Sequence, residues 1–163
     1  MRADTGFMEK VTLTGVPLLT LHARAQYSQS HPHLLSDPQA IDMVARLDYD
    51  FSAARSDRAM AAGTAARTLL FDDLVRDFLA QHPGGTVVNI ACGLDTRFHR
   101  VDDGKMRWYD LDLPQVIDVR QRLIAPELAD HLVPAVPDDR GEDPRPDGPS
   151  LRWRATSRDS GYG

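Results

Sequence analysis

The chain lacks the features of several common classes of protein. Its single cysteine, Cys92, excludes a disulfide framework within the chain and a zinc site built from cysteines. Arginine and lysine are scattered, and the formal net charge of -5 gives no basic surface of the kind that binds nucleic acid. No apolar run approaches the roughly 20 residues that a membrane span needs. We therefore expect a cytoplasmic protein with a small-molecule partner, and neither nucleic acid nor a membrane as a partner.

A moderately apolar stretch at residues 11–21 is the one candidate for a targeting signal. It ends just before a small-x-small triplet at 23–25, as a secretory signal peptide can. Asp4 and Glu9, however, put acid where such a signal needs positive charge, and threonine, glycine and proline dilute the apolar run. These mismatches weigh against secretion.

What is present suits one globular domain with alternating strands and helices. With 42% hydrophobic and 26% charged residues, the 163-residue chain can bury a core. Helical spacing and turn signals predict helices over 17–26 and 38–47, a long helix that ends at His82, a short one through Arg100, and one from Pro114. Asp37 is the predicted N-cap of the helix over 38–47. Strands are predicted over 86–90, 106–111 and, less clearly, 131–136. This order is typical of a parallel α/β sheet.

The long helix has the most regular apolar spacing in the chain. Ser56 or Asp57 could cap its N-terminus, because both side chains can accept from free helical amides. Apolar residues recur at i, i+4 and i+8, which predicts a stripe that faces the core; its members are Leu70, Leu74, Phe78, Phe71, Val75 and Leu79.

The last part of the chain has a different composition. Pro134 removes a backbone donor, so it should end the third strand or confine it to an edge of the sheet. The residues that follow are dense in proline, glycine and alternating charge and could not recover their ordering entropy by burial. We predict a helical or lid segment at 1–55, a partial cofactor-binding domain at 56–133 and a disordered tail at 134–163.

Two positions at the ends of neighbouring strands suggest a nucleoside site. Gly93 follows the strand at 86–90, where parallel sheets bind ligands and a glycine allows close backbone approach. Asp112 follows at about the 20-residue spacing of a ribose-binding acid. Asp110 is an alternative, because strand residues two apart share a face. The loop has one glycine where a dinucleotide fingerprint has three, which favours S-adenosylmethionine over a nicotinamide cofactor.

At this point the sequence resembles a known family. VVNIACGLDTRFHRV at 87–101 and WYDLDLPQVIDVRQRLI at 108–124 resemble the leucine carboxyl methyltransferase-like family of S-adenosylmethionine-dependent O-methyltransferases, which includes bacterial polyketide-tailoring enzymes. GLDTR at 93–97 and DLP at 112–114 are the most specific parts. ARA at 23–25, LLSDPQA at 34–40 and RT at 67–68 give weaker support. The resemblance extends from about Thr20 to about Leu132.

The resemblance implies the N-terminal half of a Rossmann-like class I methyltransferase sheet, preceded by a helical segment that helps to cover the active site. It implies that Gly93 lies beneath the cofactor, that Asp112 binds its ribose and that Arg67 pairs with its methionine carboxylate. Arg24 matches a basic cofactor contact loosely. Ala91 stands where the family usually has glycine, so a positive φ there would cost on the order of 1 kcal/mol and weaken cofactor binding.

The resemblance also leaves the activity of the chain open. Family members are much longer and continue through further strands that supply most of the acceptor pocket, so we expect this chain to be a fragment of a methyltransferase gene. Methyl transfer to a carboxylate or hydroxyl of a small secondary metabolite is the function implied. There are two alternatives: a non-catalytic remnant or cofactor-binding fragment, and an NAD-type oxidoreductase. An exposed edge of the incomplete sheet would favour self-association. The sequence identifies no catalytic base and no metal site.

Several of these residues also have ordinary structural explanations. Asp112 could cap the helix that starts at Pro114, and Arg67 could be a solvated surface charge. Asp95 and Arg97 could pair with each other. Cys92 is expected to be a small buried residue.

Overall fold

The computed structural model of the chain describes residues 15–52, 58–124, 132–137 and 153–156. The first 14 residues of the predicted segment 1–55, the predicted caps Ser56 and Asp57, and the greater part of the C-terminal tail lie outside these residues. Five helices are described: α1 (Val16–Ser30), α2 (Pro38–Arg46), α3 (Arg58–Gln81), α4 (Arg97–Val101) and α5 (Pro114–Leu123).

Proline and aspartate set where these helices begin. Pro17, Pro38 and Pro114 each occupy the first turn of a helix, where the missing N–H costs nothing. Asp37 caps α2 as predicted, because its Oδ1 accepts from the amide of Ala40 at 3.0 Å. The starting residues of α2 and α5 were therefore readable from the sequence.

Four strands form one sheet in the order β1-β2-β3-β4, with β1 (Thr86–Ile90), β2 (Arg107–Leu111), β3 (Leu132–Pro137) and β4 (Trp153–Ala155). β1, β2 and β3 are parallel, and β4 pairs with β3 in the antiparallel direction. The parallel α/β class predicted from the sequence is confirmed. Because Ile90 pairs with Leu111, the two strands end level with each other, and the residues that follow them meet at one edge of the sheet.

Helices α3 and α4 pack on one face of this sheet. Leu79 of α3 and Phe98 of α4 pack with Trp108 of β2 and with Val87. Side chains alternate along a strand, so Val88 and Ile90 point to the opposite face, and they are 49% and 70% exposed. Trp108, which is 1% exposed, is a core residue.

The prediction that the apolar stripe of α3 faces the core is wrong for most of its members. Leu79 is buried and Val75 is partly buried, but four other members are exposed, namely Leu70, Phe71, Leu74 and Phe78. α3 instead buries a side made of small or polar residues, among them Ala61, Ala65, Thr68 and Asp72, and it contacts both α1 and α4. The helical spacing of the apolar residues was predicted correctly. The side of α3 that is buried, however, is the one with small side chains, which allow close packing.

Pro134 neither ends β3 nor lies at the edge of the sheet, contrary to the prediction. Its carbonyl accepts from the amide of Thr156 at 3.0 Å, so its nitrogen also points toward β4. The missing donor therefore affects only the last pair of the short β3–β4 ladder. Residues 134–137 and Trp153–Ala155 are in strands, so disorder is the wrong prediction for them; residues 138–152 and 157–163 lie outside the description.

Candidate cofactor-binding site

The turn after β1 has an unusual backbone. Gly93 has a φ of 51°, the left-handed conformation that glycine adopts without steric cost. Ala91 also has a positive φ, of 54°, and among the described residues it is the only one other than glycine that does. An L-residue in this region costs about 1 kcal/mol, so Ala91 strains the turn. This is the position at which the sequence has alanine where the family usually has glycine.

Gly93 and Asp112 meet at the carboxyl ends of β1 and β2. The amide of Gly93 donates to Oδ2 of Asp112 at 2.7 Å, and the amide of Leu113 donates to Oδ1 at 2.7 Å. The predicted convergence of these two residues is present. Asp112 is not the N-cap of α5, because Leu113 holds that position and no side chain caps it.

Asp110, the alternative ribose-binding acid, is engaged elsewhere. Its Oδ1 accepts from Asn89 and from Trp108, both at 2.9 Å. Its Oδ2 accepts from Nη2 of Arg120 at 2.6 Å and from Nε at 3.1 Å. With 1% exposure and both oxygens occupied, Asp110 joins β2 to α5 and has no room for a ligand diol.

A cavity of about 450 Å³ opens between α1, α3 and the turn after β1. This volume is in the range of small-molecule sites. Its floor comes from the turn and its walls from the two helices, and its lining includes Arg24, Arg67, Arg97, Ala91, Gly93 and Asp95. Asp112 is not part of the lining, but its carboxylate is bonded to Gly93, which is.

The two predicted arginines of the cavity have different surroundings. Arg67 is exposed to the cavity, and in the part of the chain that the structure describes its guanidinium has no hydrogen-bond or ion-pair partner. Arg24 is 5% exposed and already engaged: Nε donates to Asp37 at 3.2 Å and Nη2 donates to the carbonyl of Leu94 at 2.6 Å. Arg67 is thus the cation free to meet an anionic ligand, whereas Arg24 holds the floor of the cavity.

A network of buried charges behind the cavity was not predicted. Asp37 accepts from Thr96 at 2.7 Å and from Arg100 at 2.8 Å, in addition to Arg24. Asp72 accepts from Arg97 at 3.0 Å and from Arg100 at 2.6 Å. Nothing in the sequence brings α1, α2, α3 and α4 to one point, so only the position of Asp72 within an apolar helix hinted at a buried role.

The electrostatics of the turn follow from this network. Burial would raise the pKa of Asp95, but Arg97, Arg24 and Arg100 outweigh it and lower that pKa. Burial lowers the pKa of Arg24, and Asp95 and Asp37 oppose this. The Asp95–Arg97 pair predicted as an alternative to ligand contact is present, with Oδ2 and Nη1 at 2.6 Å.

Cys92 is a buried structural residue, as predicted. It is 4% exposed and packs with Ile117 and Val136. Burial raises the pKa of its thiol to about 12, so the thiolate needed for nucleophilic chemistry is absent near neutral pH. No group of three or more metal-ligating side chains occurs among the described residues, and no described helix is long and apolar enough to cross a membrane.

Comparison with known proteins agrees with the resemblance. The profile of the family described as leucine carboxyl methyltransferase matches residues 18–140. The chain belongs to this family. It is 39% identical over 119 residues to the tetracenomycin polyketide synthesis O-methyltransferase of Streptomyces glaucescens, covering 71% of this chain and 44% of that protein. It is 33% identical over 149 residues to an S-adenosyl-L-methionine-dependent methyltransferase of Gibberella zeae, covering 80% of this chain and 50% of that protein.

Membership gives S-adenosylmethionine as the cofactor of the family and methyl transfer as its chemistry. The chain spans about half the length of the curated relatives that it matches.

The residues present fit the cofactor. A carboxylate has about four lone-pair positions, so Asp112 keeps two for a ribose diol after accepting from two amides. Arg67 offers a planar fork for a carboxylate.

Proposed function

We propose that this chain binds S-adenosylmethionine in the cavity between α1, α3 and the turn after β1, and that it serves methyl transfer to an oxygen of a small molecule. The carboxylate of Asp112 at 2.7 Å from the amide of Gly93 carries the proposal, since it puts a ribose acceptor beside a backbone that a ligand can approach closely. Arg67 supports it from the wall of the cavity.

Each residue of the site has a separate part in the proposed reaction. S-adenosylmethionine, when bound, would supply an electrophilic methyl group to the acceptor oxygen, with the electron pair of the broken carbon–sulfur bond left on sulfur and the proton of a hydroxyl acceptor released to solvent. Arg67 would hold the carboxylate of the cofactor and Asp112 its ribose. Rate acceleration comes chiefly from this positioning, because no covalent intermediate is needed.

We propose a carboxylate or hydroxyl of a secondary metabolite as the acceptor. Support comes from the similarity to a relative whose name assigns it to tetracenomycin polyketide synthesis.

Calorimetric titration with S-adenosylhomocysteine and with 5′-methylthioadenosine tests the site. The second ligand keeps the adenosine and the thioether and lacks the amino-acid part. Wild-type protein is expected to bind both, and R67M is expected to lose about tenfold or more in affinity for S-adenosylhomocysteine alone, the value of one charge-assisted hydrogen bond. R58M is the matched control, because Arg58 is exposed at the far end of the same helix. Absence of wild-type binding would overturn the proposal.

A non-catalytic remnant or cofactor-binding fragment is the second candidate function. It is supported by the coverage of the relatives, of which the chain spans about half, and by the exposed apolar residues of α3 and β1. Activity separates the two. Transfer of a labelled methyl group to small carboxylic acids or phenols supports the enzyme, whereas cofactor binding without any transfer supports the fragment.

We also propose that two copies of the chain associate through β1. β1 is the last strand on its side of the sheet, and within the described residues no strand pairs with its outer edge. Such an edge is a template for another strand, and Ile90 and Val88 add exposed apolar surface beside it.

Sedimentation velocity at increasing concentration is expected to show a dimer that I90K weakens. L34Q is the control, since Leu34 is 50% exposed in the turn between α1 and α2; a wild-type monomer at all concentrations would contradict association.

A cytoplasmic location is part of the same proposal. It is supported by the single, buried cysteine, which fits a reducing compartment. Fractionation of cells that produce the tagged chain is expected to recover it with the cytoplasm, and recovery from the culture medium would contradict this.

A further inference from the structure

Asp72 is a buried carboxylate that the proposed binding of the cofactor does not use. It is 1% exposed and lies on the side of α3 that packs inward. Phe71, its neighbour in the chain, lines the cavity, as do Arg67 and Thr68 one turn earlier on the same helix. A charge this deeply buried is costly unless it is paired and hydrogen-bonded.

Two arginines donate three hydrogen bonds to Asp72. Oδ1 accepts from Nε of Arg97 at 3.0 Å and from Nη2 of Arg100 at 3.1 Å, and Oδ2 accepts from Nε of Arg100 at 2.6 Å. Arg97 lines the cavity and ends the turn that contains Gly93. Asp72 therefore links the helix that carries Arg67 to the loop that forms the floor.

Arg100 also connects this loop to α1, the other wall of the cavity. Its Nη1 donates to Asp37 at 2.8 Å and to the hydroxyl of Thr96 at 2.6 Å. Asp37 in turn accepts from Arg24 of α1. Asp72 raises the pKa of Arg100 by its hydrogen bond and its charge, against the lowering effect of burial, so the guanidinium stays charged. Both walls of the cavity are thus connected to its floor through Asp72 and Asp37 and the arginines that they bind.

We propose that Asp72 is a positioning residue for cofactor binding, which holds Arg67 on α3 in register with the loop of Gly93 by way of Arg97 and Arg100. The inference rests on the proposed function, because it assigns Arg67 to the carboxylate of the cofactor. Asp72 itself lies behind the wall and contacts no ligand; the loop it fastens is what the ligand meets.

Hydrogen exchange of the full chain tests this link without any ligand. In D72N the carboxamide keeps the shape of the side chain but has one acceptor oxygen where the carboxylate has two, so Arg97 and Arg100 lose part of their anchor. Amides of residues 93–97 are expected to exchange faster in D72N than in wild type, by a larger factor than those of Arg107–Leu111 in β2. A general loss of stability would accelerate both segments equally, and that result would overturn the proposal.

Ligand affinity gives the second readout. D72N is expected to lower the affinity for S-adenosylhomocysteine by about tenfold, the lower end of what supporting residues contribute at metal sites. The affinity for 5′-methylthioadenosine is expected to fall by a smaller factor, because that ligand meets the loosened loop but has no carboxylate for Arg67. Equal losses for both ligands, or no loss, would contradict a positioning role directed at Arg67. If wild-type protein binds neither ligand, the proposed function fails, and the exchange comparison still decides whether Asp72 fastens the loop.

D73N is the matched control. Asp73 is the next residue of the same helix, its side chain is 71% exposed and it pairs only at the surface with Arg76. It is expected to leave both exchange and affinity unchanged. If D72N does not fold, R97K replaces it: lysine keeps the charge but lacks the planar fork, and faster exchange at 93–97 is again expected.

Discussion

Asp112 accepts a hydrogen bond of 2.7 Å from the amide of Gly93, a residue 19 positions earlier in the chain. The contact joins the ends of two neighbouring parallel strands and fixes one carboxylate oxygen beside the cavity. Because the other oxygen is held by the amide of Leu113, the carboxylate is oriented before any ligand arrives. Such preorganisation reduces the entropy that binding must overcome.

Substitution of Asp112 by asparagine is expected to weaken nucleoside binding. D112N replaces one carboxylate oxygen by an amide group that donates, so the side chain cannot accept from both ribose hydroxyls and from both backbone amides. Loss of one charge-assisted hydrogen bond is worth about 1.5 to 3 kcal/mol, or on the order of 10- to 100-fold in affinity. Calorimetric titration with S-adenosylhomocysteine and 5′-methylthioadenosine is the measurement, and both affinities should fall together.

The control for D112N is D118N. Asp118 belongs to α5, its side chain is 67% exposed, and it pairs at the surface with Arg122. Its loss should leave both affinities unchanged. Unaltered binding by D112N would show that the ribose is held elsewhere, and Asp112 would then have a structural role only.

The convergence of Gly93 and Asp112 could be predicted because it depends on local rules. A strand, a glycine turn and a second parallel strand of equal length must put the two residues at one edge of the sheet. The role of Asp110 could not be predicted in this way. Its position two residues before Asp112 was clear, but its pairing with Arg120 depends on how α5 packs on the sheet, and no spacing rule gives that.

The charged network behind the cavity shows the same limit. Asp37 was predicted as a helix cap, and one of its oxygens does cap α2. Its other oxygen accepts from Arg24, Thr96 and Arg100, which lie far from it in the sequence. A capping rule describes one helix at a time, so it finds the first role of the residue and misses the second.

Replacement of Ala91 by glycine is expected to stabilise the protein. Ala91 has a φ of 54°, and removal of its Cβ relieves a steric cost of about 1 kcal/mol. Urea unfolding should show a higher midpoint for A91G with an unchanged slope. Because Ala91 also lines the cavity, a more relaxed turn is expected to bind S-adenosylhomocysteine at least as tightly as wild type.

A66G is the control for this substitution. Ala66 is exposed on α3 and has ordinary helical geometry, so glycine there should destabilise the chain by about 1 kcal/mol. The two alanine-to-glycine changes are thus expected to have opposite signs. A lower unfolding midpoint for A91G would mean that the turn tolerates the left-handed alanine without strain.

Cys92 is expected to resist alkylation in the folded protein. Its buried thiol has a pKa of about 12, so at about pH 8 only about one molecule in ten thousand carries the reactive thiolate. Iodoacetamide labelling followed by mass spectrometry should be slower in native buffer than in concentrated urea by on the order of a thousandfold, because unfolding returns the pKa to about 8.5. Rapid labelling of native protein would show that the loop around Cys92 opens readily.

Asp95 is expected to stabilise the fold above about pH 4 and to lose that contribution in acid. Neighbouring arginines hold its pKa below the ordinary value of 3.8, so the folded state favours the carboxylate. The stabilisation is fully present above the unfolded pKa and disappears as the pH falls through the lower folded pKa. D95N should therefore be less stable than wild type by about 2 kcal/mol near pH 7, where one charge-assisted hydrogen bond is lost. The difference should shrink below about pH 4, as measured by urea unfolding at several pH values.

D118N, which removes an exposed charge, should differ little from wild type throughout. A D95N deficit that stays constant down to about pH 3 would show that the side chain acts by shape and not by charge.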